Sequence, residues 1–122
     1  MKLSEIKNAY FVGIKGVGMT ALAEIFLARG IKITGSDTAE KFITDEVLER
    51  LGISYFENFS ADHINKNIDL IVASTSYLND NVELAKAKEL NLSILTYPEA
   101  LALIFNDKYG IAKGDEAIKL AS

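Results

Sequence analysis

The sequence predicts an α/β fold in three layers, with a parallel sheet of about five strands and helices on both faces. Short apolar runs without period-two alternation, the pattern of strands buried on both faces, recur along the chain. They alternate with helical patterns of roughly 10 residues, which implies right-handed crossovers and parallel pairing. A glycine cluster directly after the first run is typical of a Rossmann-like domain.

Composition restricts the class of protein. The chain has 122 residues, a formal charge of −4 and no cysteine. One globular domain without disulfide or thiol chemistry fits these values. An acidic chain gives no support for nonspecific binding to nucleic acid or to a membrane surface. We see neither a signal-peptide pattern nor an apolar stretch long enough to span a bilayer, and therefore expect a cytoplasmic protein.

The first strand, the glycine turn and the first helix form the unit on which the functional prediction depends. Residues 9–14 form the apolar run, and apolar positions follow helical spacing from Gly18 to Arg29. Gly30 stands where a helix commonly ends. A strand, a glycine turn and a helix in succession place backbone N–H groups against a phosphate.

The later elements follow from the same alternation. Further strands are predicted at residues 31–34, 53–56, 69–73 and 92–95, and the run 109–112 is compatible with the start of a sixth. Helices are predicted at 44–51, from Asn79 or Asp80 to Leu90, and from Thr96 to about Phe105, with a short one at 60–64. Gly52 is the predicted stop after the second helix. Thr96 and Glu99 are spaced as a capping box around Pro98.

The glycine turn departs from a dinucleotide fingerprint at one position. Counted from Gly13, the third position is Lys15, where close approach to a pyrophosphate favours glycine. Counted from Gly16, GVGMTA fits GxGxxA but begins late. The backbone donors do not depend on the Lys15 side chain, which could add a charge-assisted contact to a diphosphate. A tight turn without a ligand is the alternative.

Polar residues follow the other predicted strands. Asp37 stands roughly 20 residues beyond the glycines, near where a carboxylate accepts hydrogen bonds from ribose hydroxyls; a cap or turn role is the alternative. The hydroxyls of residues 74–76 could bind phosphate or sugar, or only shape a turn. His63 is predicted to be a solvated surface residue, and the acidic residues 45, 46 and 49 a solvated helix face. We predict no catalytic residue and no metal ligand.

The stretch GIKGVGMTALAE resembles the N-terminal domain of the bacterial Mur ligases, whose glycine-rich turn has the form G-I-x-G-x-G-M-[ST]. The matching residues are Gly13, Ile14, Gly16, Gly18, Met19 and Thr20, whereas Lys15 is a variant of a position that is glycine in many members. The Gly-Ser-Asp at 35–37, the strand and Ser/Thr turn at 70–76 and the Pro98-Glu99 helix extend the resemblance over residues 8–112. The branch that joins L-alanine to UDP-N-acetylmuramate is the most similar, and a peptide-recycling branch is the alternative.

The resemblance implies a UDP-sugar-binding domain at residues 1–112. Residues 113–122 depart from the family pattern and are interpreted as a divergent end, an added sequence or an appended helix. It implies that the domain holds the UDP portion of UDP-N-acetylmuramic acid. The implied ligand-binding residues are Gly13, Ile14, Lys15, Gly16, Val17, Gly18, Met19, Thr20, Ser36, Asp37, Ser74, Thr75 and Ser76. ATP, Mg²⁺, an ATPase domain and an amino-acid-binding domain in cis are implied only for a full-length parent, since this sequence contains no GK[ST] loop. A nicotinamide-dinucleotide-binding domain and a ligand-free interaction domain are the alternatives.

Overall fold

Five parallel strands form one sheet in the order β3-β2-β1-β4-β5. The structure, a computed structural model, describes residues 1–109. The strands are β1 Asn8–Val12, β2 Lys32–Ser36, β3 Ser54–Phe56, β4 Leu70–Ala73 and β5 Ile94–Thr96. The helices are α1 Val17–Ala28, α2 Thr44–Arg50, α3 Val82–Glu89 and α4 Tyr97–Tyr109, with 3-10 turns at Leu3–Glu5, Ala61–His63 and Thr75–Tyr77. The predicted α/β class and parallel five-stranded sheet are confirmed.

The central strands are buried on both faces. Side chains of β1 alternate between two cores, so that Phe11 meets Phe26 of α1 edge to face at 5.6 Å, while Tyr10 belongs to the opposite core. The first core also contains Ala100 of α4, and the second contains Leu84 of α3. Helices on both faces explain why these strands are continuous apolar runs rather than alternating ones.

Several element ends differ from the sequence prediction. β1 stops at Val12 because Gly13 has φ +86°, which breaks the extended run that we expected to reach residue 14. The N-cap of α3 is Asn81 rather than residue 79 or 80, and its Oδ1 accepts from the N–H groups of Glu83 and Leu84. The predicted short helix at 60–64 is the 3-10 turn that follows Ser60.

The carboxyl half of the chain confirms one predicted signal and corrects another. The capping box at α4 is present: Thr96 N–H donates to Glu99 Oε1 at 2.8 Å, and Glu99 N–H donates to Thr96 Oγ1 at 3.4 Å. The predicted start of a sixth strand at Tyr109 is wrong, because Tyr109 belongs to α4. Residues 110–112 and the predicted tail lie outside the described residues. Within residues 1–109, no helix is long and apolar enough to cross a membrane.

Candidate functional site

The carboxyl ends of β1 and β4 bring the glycine-rich turn against the hydroxyl-rich turn. A methyl group at Gly13 would lie 2.7 Å from Ser74 Cβ and 2.8 Å from the Tyr77 ring. Since Gly13 also has φ +86°, both its backbone conformation and its surroundings require glycine. The glycine-rich turn and the hydroxyl-rich turn therefore meet at Gly13 and Ser74.

Three consecutive N–H groups of the glycine-rich turn bond to the end of β2. Gly13 N–H and Ile14 N–H both donate to the Ser36 carbonyl, at 2.9 and 3.0 Å. Lys15 N–H donates to Asp37 Oδ2 at 2.8 Å. The turn is thus closed on its inner side by residues 36 and 37. Gly16 N–H donates to the Gly13 carbonyl at 3.2 Å, and the N–H groups that follow are those that begin α1.

Gly16 is the N-cap of α1, and its surroundings do not require glycine. Its φ of −58° is open to any residue. A methyl group there would meet nothing nearer than Met19 Cγ at 3.5 Å, an ordinary contact. Gly16 is exposed and the neighbouring Val17 is 81% exposed. The first-turn N–H groups of α1, which have no partner within the helix, therefore begin at an open and uncrowded surface.

Gly18 has a different reason to be glycine. A methyl group at Gly18 would lie 3.0 Å from both the Tyr97 hydroxyl and a Tyr97 ring carbon. The absence of a side chain lets the start of α4 approach α1 closely. Nearby, Ile14, Met19 and Thr20 have buried side chains, and Thr20 Oγ1 donates to the Ile14 carbonyl at 2.7 Å. These three side chains shape the turn from within, so any contact that they make to a ligand would come from their backbone.

The side chain of Lys15 is buried in a cluster of opposite charges. Its Nζ lies 2.8 Å from Glu57 Oε2, 2.8 Å from the Glu40 carbonyl and 3.4 Å from Asp45. Burial acts to lower the pKa of Lys15, but the hydrogen bonds and charges of Glu57 and Asp45 outweigh it and raise that pKa. A diphosphate contact by this ammonium would have to displace these bonds. The prediction that residue 45 lies on a solvated face is wrong, because Asp45 is buried beside Lys15.

Asp37 is only 4% exposed, and protein donors already occupy its carboxylate. Besides Lys15 N–H, it accepts from Thr38 N–H at 2.7 Å and from the Tyr77 hydroxyl at 3.2 Å. Burial, followed by the Asp37 charge, raises the pKa of Tyr77 and keeps that phenol a donor. The turn role weighed for Asp37 is present, and contact with a ribose stays a prediction.

The hydroxyl groups differ in accessibility. Ser36 is fully buried and its Oγ donates to Glu83 Oε1 at 2.5 Å. Contact between this side chain and a nucleoside stays a prediction, and it would require that bond to break. Ser74 is half-buried, and its Oγ accepts from Ser76 N–H at 3.4 Å. Thr75 and Ser76 are exposed in the 3-10 turn, where their side chains are free to meet a ligand.

Sequence reasoning missed a buried polar cluster. His63 is not a solvated surface residue: its ring stacks on Phe56 at 3.6 Å, and its Nδ1 lies 2.6 Å from Glu83 Oε2. Tyr10 donates to the same oxygen at 2.7 Å. The sequence held one signal of this cluster: Glu83 stands beside Leu84 at a position of α3 that faces the core. In the part of the chain that the structure describes, no group of three or more His, Cys, Asp or Glu side chains could hold a metal ion.

Comparisons with known proteins agree with this architecture. The family model described as "Mur ligase family, catalytic domain" matches residues 8–109. The chain is 47% identical over 106 residues to a UDP-N-acetylmuramate–L-alanine ligase of Desulfitobacterium hafniense, covering 86% of this chain and 23% of the relative. A Thermotoga maritima UDP-N-acetylmuramate-alanine ligase structure is 27% identical with a TM-score of 0.76, covering 84% of this chain and 23% of the other.

A second solved structure belongs to another branch. The Neisseria meningitidis UDP-N-acetylmuramate:L-alanyl-γ-D-glutamyl-meso-diaminopimelate ligase is 26% identical with a TM-score of 0.72, over 80% of this chain and 30% of that one. The chain spans about a quarter of the length of the curated relatives that it matches. With the family model matched over nearly all of the described residues, the chain belongs to the Mur ligase family.

Proposed function

We propose that this chain is the substrate-anchoring domain of a UDP-N-acetylmuramate–L-alanine ligase and binds the UDP portion of UDP-N-acetylmuramic acid. The observation that carries the proposal is the exposed, uncrowded position of Gly16 at the start of α1. The fold requires Gly13 for its positive φ and Gly18 for the approach of Tyr97, whereas a methyl group at Gly16 would make only ordinary contacts with the residues that the structure describes. An exposed glycine at the N-cap of a 12-residue helix is suited to the close approach of a phosphate.

The geometry suggests how the parts of the ligand would be distributed. The diphosphate would lie against the first-turn N–H groups of α1, where the helix dipole favours an anion. Thr75 and Ser76, exposed beside the same turn, would donate along the diphosphate and sugar. The nucleoside would lie toward Asp37 at the end of β2. The Lys15 ammonium is bonded to Asp45 and Glu57 and is assigned no contact with the ligand.

In the full-length enzyme this domain would supply orientation rather than chemistry. The reaction proposed for the parent is ATP-dependent formation of an amide between the muramyl carboxylate and an amine, in cell-wall peptidoglycan synthesis in the cytoplasm. ATP, Mg²⁺ and the amino acid would be bound by domains in cis that lie outside these residues. Holding the UDP end fixes the distant carboxylate at the reacting centre, which is how remote binding energy accelerates a reaction.

Both branches seen in the comparisons act, by name, on UDP-N-acetylmuramate. The proposal for this domain is therefore the same for either branch. The curated relatives, at up to 47% identity, favour the alanine-adding one.

Parallel calorimetric titrations with UDP-N-acetylmuramic acid, UDP and NADH test the proposal. We expect saturable binding of the first two, no binding of NADH and no ATP-dependent ligation by this chain alone. Gly16→Val, which places a branched side chain at the start of α1, should abolish UDP binding while the thermal transition is retained. Binding of NADH but not UDP would instead favour the dinucleotide alternative, and no binding of either would favour an interaction domain.

A further inference from the structure

The carboxylate of Glu83 is completely buried between α3 and the sheet. Its exposed fraction is 0%. It accepts hydrogen bonds from the Tyr10 hydroxyl at 2.7 Å, the Ser36 hydroxyl at 2.5 Å and Ser60 N–H at 3.2 Å, and His63 Nδ1 lies 2.6 Å away. A carboxylate without water is unfavourable unless its lone pairs are satisfied, and here four groups satisfy them.

The two oxygens of Glu83 have separate partners. Oε2 meets Tyr10, Ser60 and His63, and so joins α3 to β1 and to the turn that precedes β4. Oε1 meets Ser36 at the end of β2. Burial raises the pKa of Tyr10 above its usual range; a hydrogen bond with Ser36 opposes this, and the hydrogen bond and charge of Glu83 add to it, so that the phenol keeps its proton and remains a donor.

Ser36 connects this carboxylate to the glycine-rich turn. Its hydroxyl is held by Glu83, and its carbonyl accepts from Gly13 N–H and Ile14 N–H. The carbonyl direction at the end of a strand depends on how that residue is held. A fixed Ser36 therefore fixes the two residues that set the start of the turn.

We infer that Glu83 is a positioning residue for the anion-binding turn and acts through the Ser36 hydroxyl. The identity of the ligand rests on the proposed function, whereas the link from Glu83 to the turn rests only on the hydrogen bonds given above. Glu83 does not touch the ligand. It holds β2 so that the Ser36 carbonyl keeps Gly13 and Ile14 in place, and the first N–H groups of α1 stay aimed at the open surface beside Gly16.

The chain offers a matched pair of variants. Ser36→Ala and Tyr10→Phe each remove one hydroxyl that donates to Glu83 from a fully buried side chain, and only Ser36 is bonded to the turn. We expect Ser36→Ala to weaken UDP binding by about 5- to 10-fold, the effect of one lost hydrogen bond. It should also accelerate amide hydrogen exchange at Gly13 and Ile14, measured by NMR at equal distance below each variant's melting temperature. Tyr10→Phe should lower stability but leave both readouts at wild-type values.

A double-mutant cycle with Glu83→Gln then tests the route. If Glu83 acts through Ser36, Glu83→Gln will accelerate exchange at Gly13 in the wild-type background and have little further effect in the Ser36→Ala background. Equal changes in Tyr10→Phe and Ser36→Ala, or unchanged exchange in Ser36→Ala, would overturn the inference. The exchange readout needs no ligand, so a wild type that fails to bind UDP would refute the proposed function without deciding this one.

Discussion

The carboxylate of Asp37 accepts a hydrogen bond from the backbone N–H of Lys15 at 2.8 Å, which ties the glycine-rich turn to the end of β2. Because the acceptor is a buried charge and the donor a buried amide, the bond cannot be replaced easily by water. The residue that sequence reasoning assigned to a ribose thus also holds the part of the chain assigned to a phosphate.

Asp37→Ala should weaken binding of UDP and of pyrophosphate alike, by about 10-fold or more, since an unpaired buried amide costs roughly 1–3 kcal/mol and loosens the turn. Asp37→Asn keeps one acceptor oxygen and should lose less. Isothermal titration of both variants with both ligands measures this. Loss of UDP affinity with pyrophosphate affinity intact would show instead that Asp37 serves the nucleoside.

Two glycines near the carboxyl ends of the strands should differ in how much stability a methyl group costs. Gly35→Ala would place Cβ 2.5 Å from the Phe11 carbonyl oxygen, a backbone atom that cannot move aside. We expect a loss of about 3 kcal/mol or more in the free energy of unfolding. Gly16→Ala should stay within about 1 kcal/mol of wild type. Urea denaturation compares them, and a large loss in Gly16→Ala would mean that Gly16 is needed for the fold.

Lys15→Met removes the ammonium that lies between Asp45 and Glu57. We expect the free energy of unfolding to fall by about 1–3 kcal/mol, less than for a fully buried pair because Glu57 is 36% exposed. UDP affinity, measured well below the unfolding temperature, should change less than about threefold. The dependence of that affinity on salt concentration should also stay close to wild type, because Lys15 makes no contact with the phosphates.

Lys41→Met is the matched control, since Lys41 pairs with the same Glu57 at 3.1 Å but is largely exposed. It should change stability by less than about 1 kcal/mol. A loss of UDP affinity of about tenfold in Lys15→Met, together with a weaker salt dependence, would instead show that the ammonium contacts the diphosphate. A loss of this size is about the energy of one charge-assisted hydrogen bond.

Acid should destabilise the fold through two carboxylates. Hydrogen bonds from Lys7 N–H and Asn8 N–H lower the pKa of Asp69 below 3.8, and those from Lys15 and Lys41 lower the pKa of Glu57 below 4.5. A depressed pKa in the folded state means that the stabilisation is present above the unfolded value and disappears as the pH falls through the folded value.

The free energy of unfolding should therefore decline as the pH falls below about 4.5, and the decline should be shallower in Asp69→Asn and in Glu57→Gln. Urea denaturation between neutral pH and the acid limit of folding measures the slope. Glu24→Gln, an exposed carboxyl on α1, is the control. Slopes identical to wild type in both test variants would contradict the assignment.

Sequence alone could predict the sheet and its helices because their signals are local. The apolar run of β1, the stop at Gly30 and the capping box at Thr96 each depend on neighbours in the chain. The positive φ at Gly30 and Gly52 follows from the same local signals. The start of α3 was misplaced by one or two residues, because Asn79, Asp80 and Asn81 are all good cap residues.

The polar interior could not be predicted in this way, because it depends on residues far apart in the chain. Nothing near Lys15 indicates that Asp45 and Glu57 will surround it, and nothing near His63 indicates Glu83 and Phe56. Charged and polar residues are mostly exposed, so the general expectation was solvation. The same holds for Ser36: its position at a strand end can be predicted, but the bond from its hydroxyl to the buried Glu83 carboxylate cannot.

In the part of the chain that the structure describes, both edges of the sheet are strands of only three residues, β3 and β5. An edge strand displays unpaired N–H and C=O groups, along which another chain can add itself and start aggregation. Short edges display few such groups, while the buried apolar strands β1 and β4 are enclosed by neighbours on both sides. The domain should therefore stay dispersed at the concentrations that titration and NMR require.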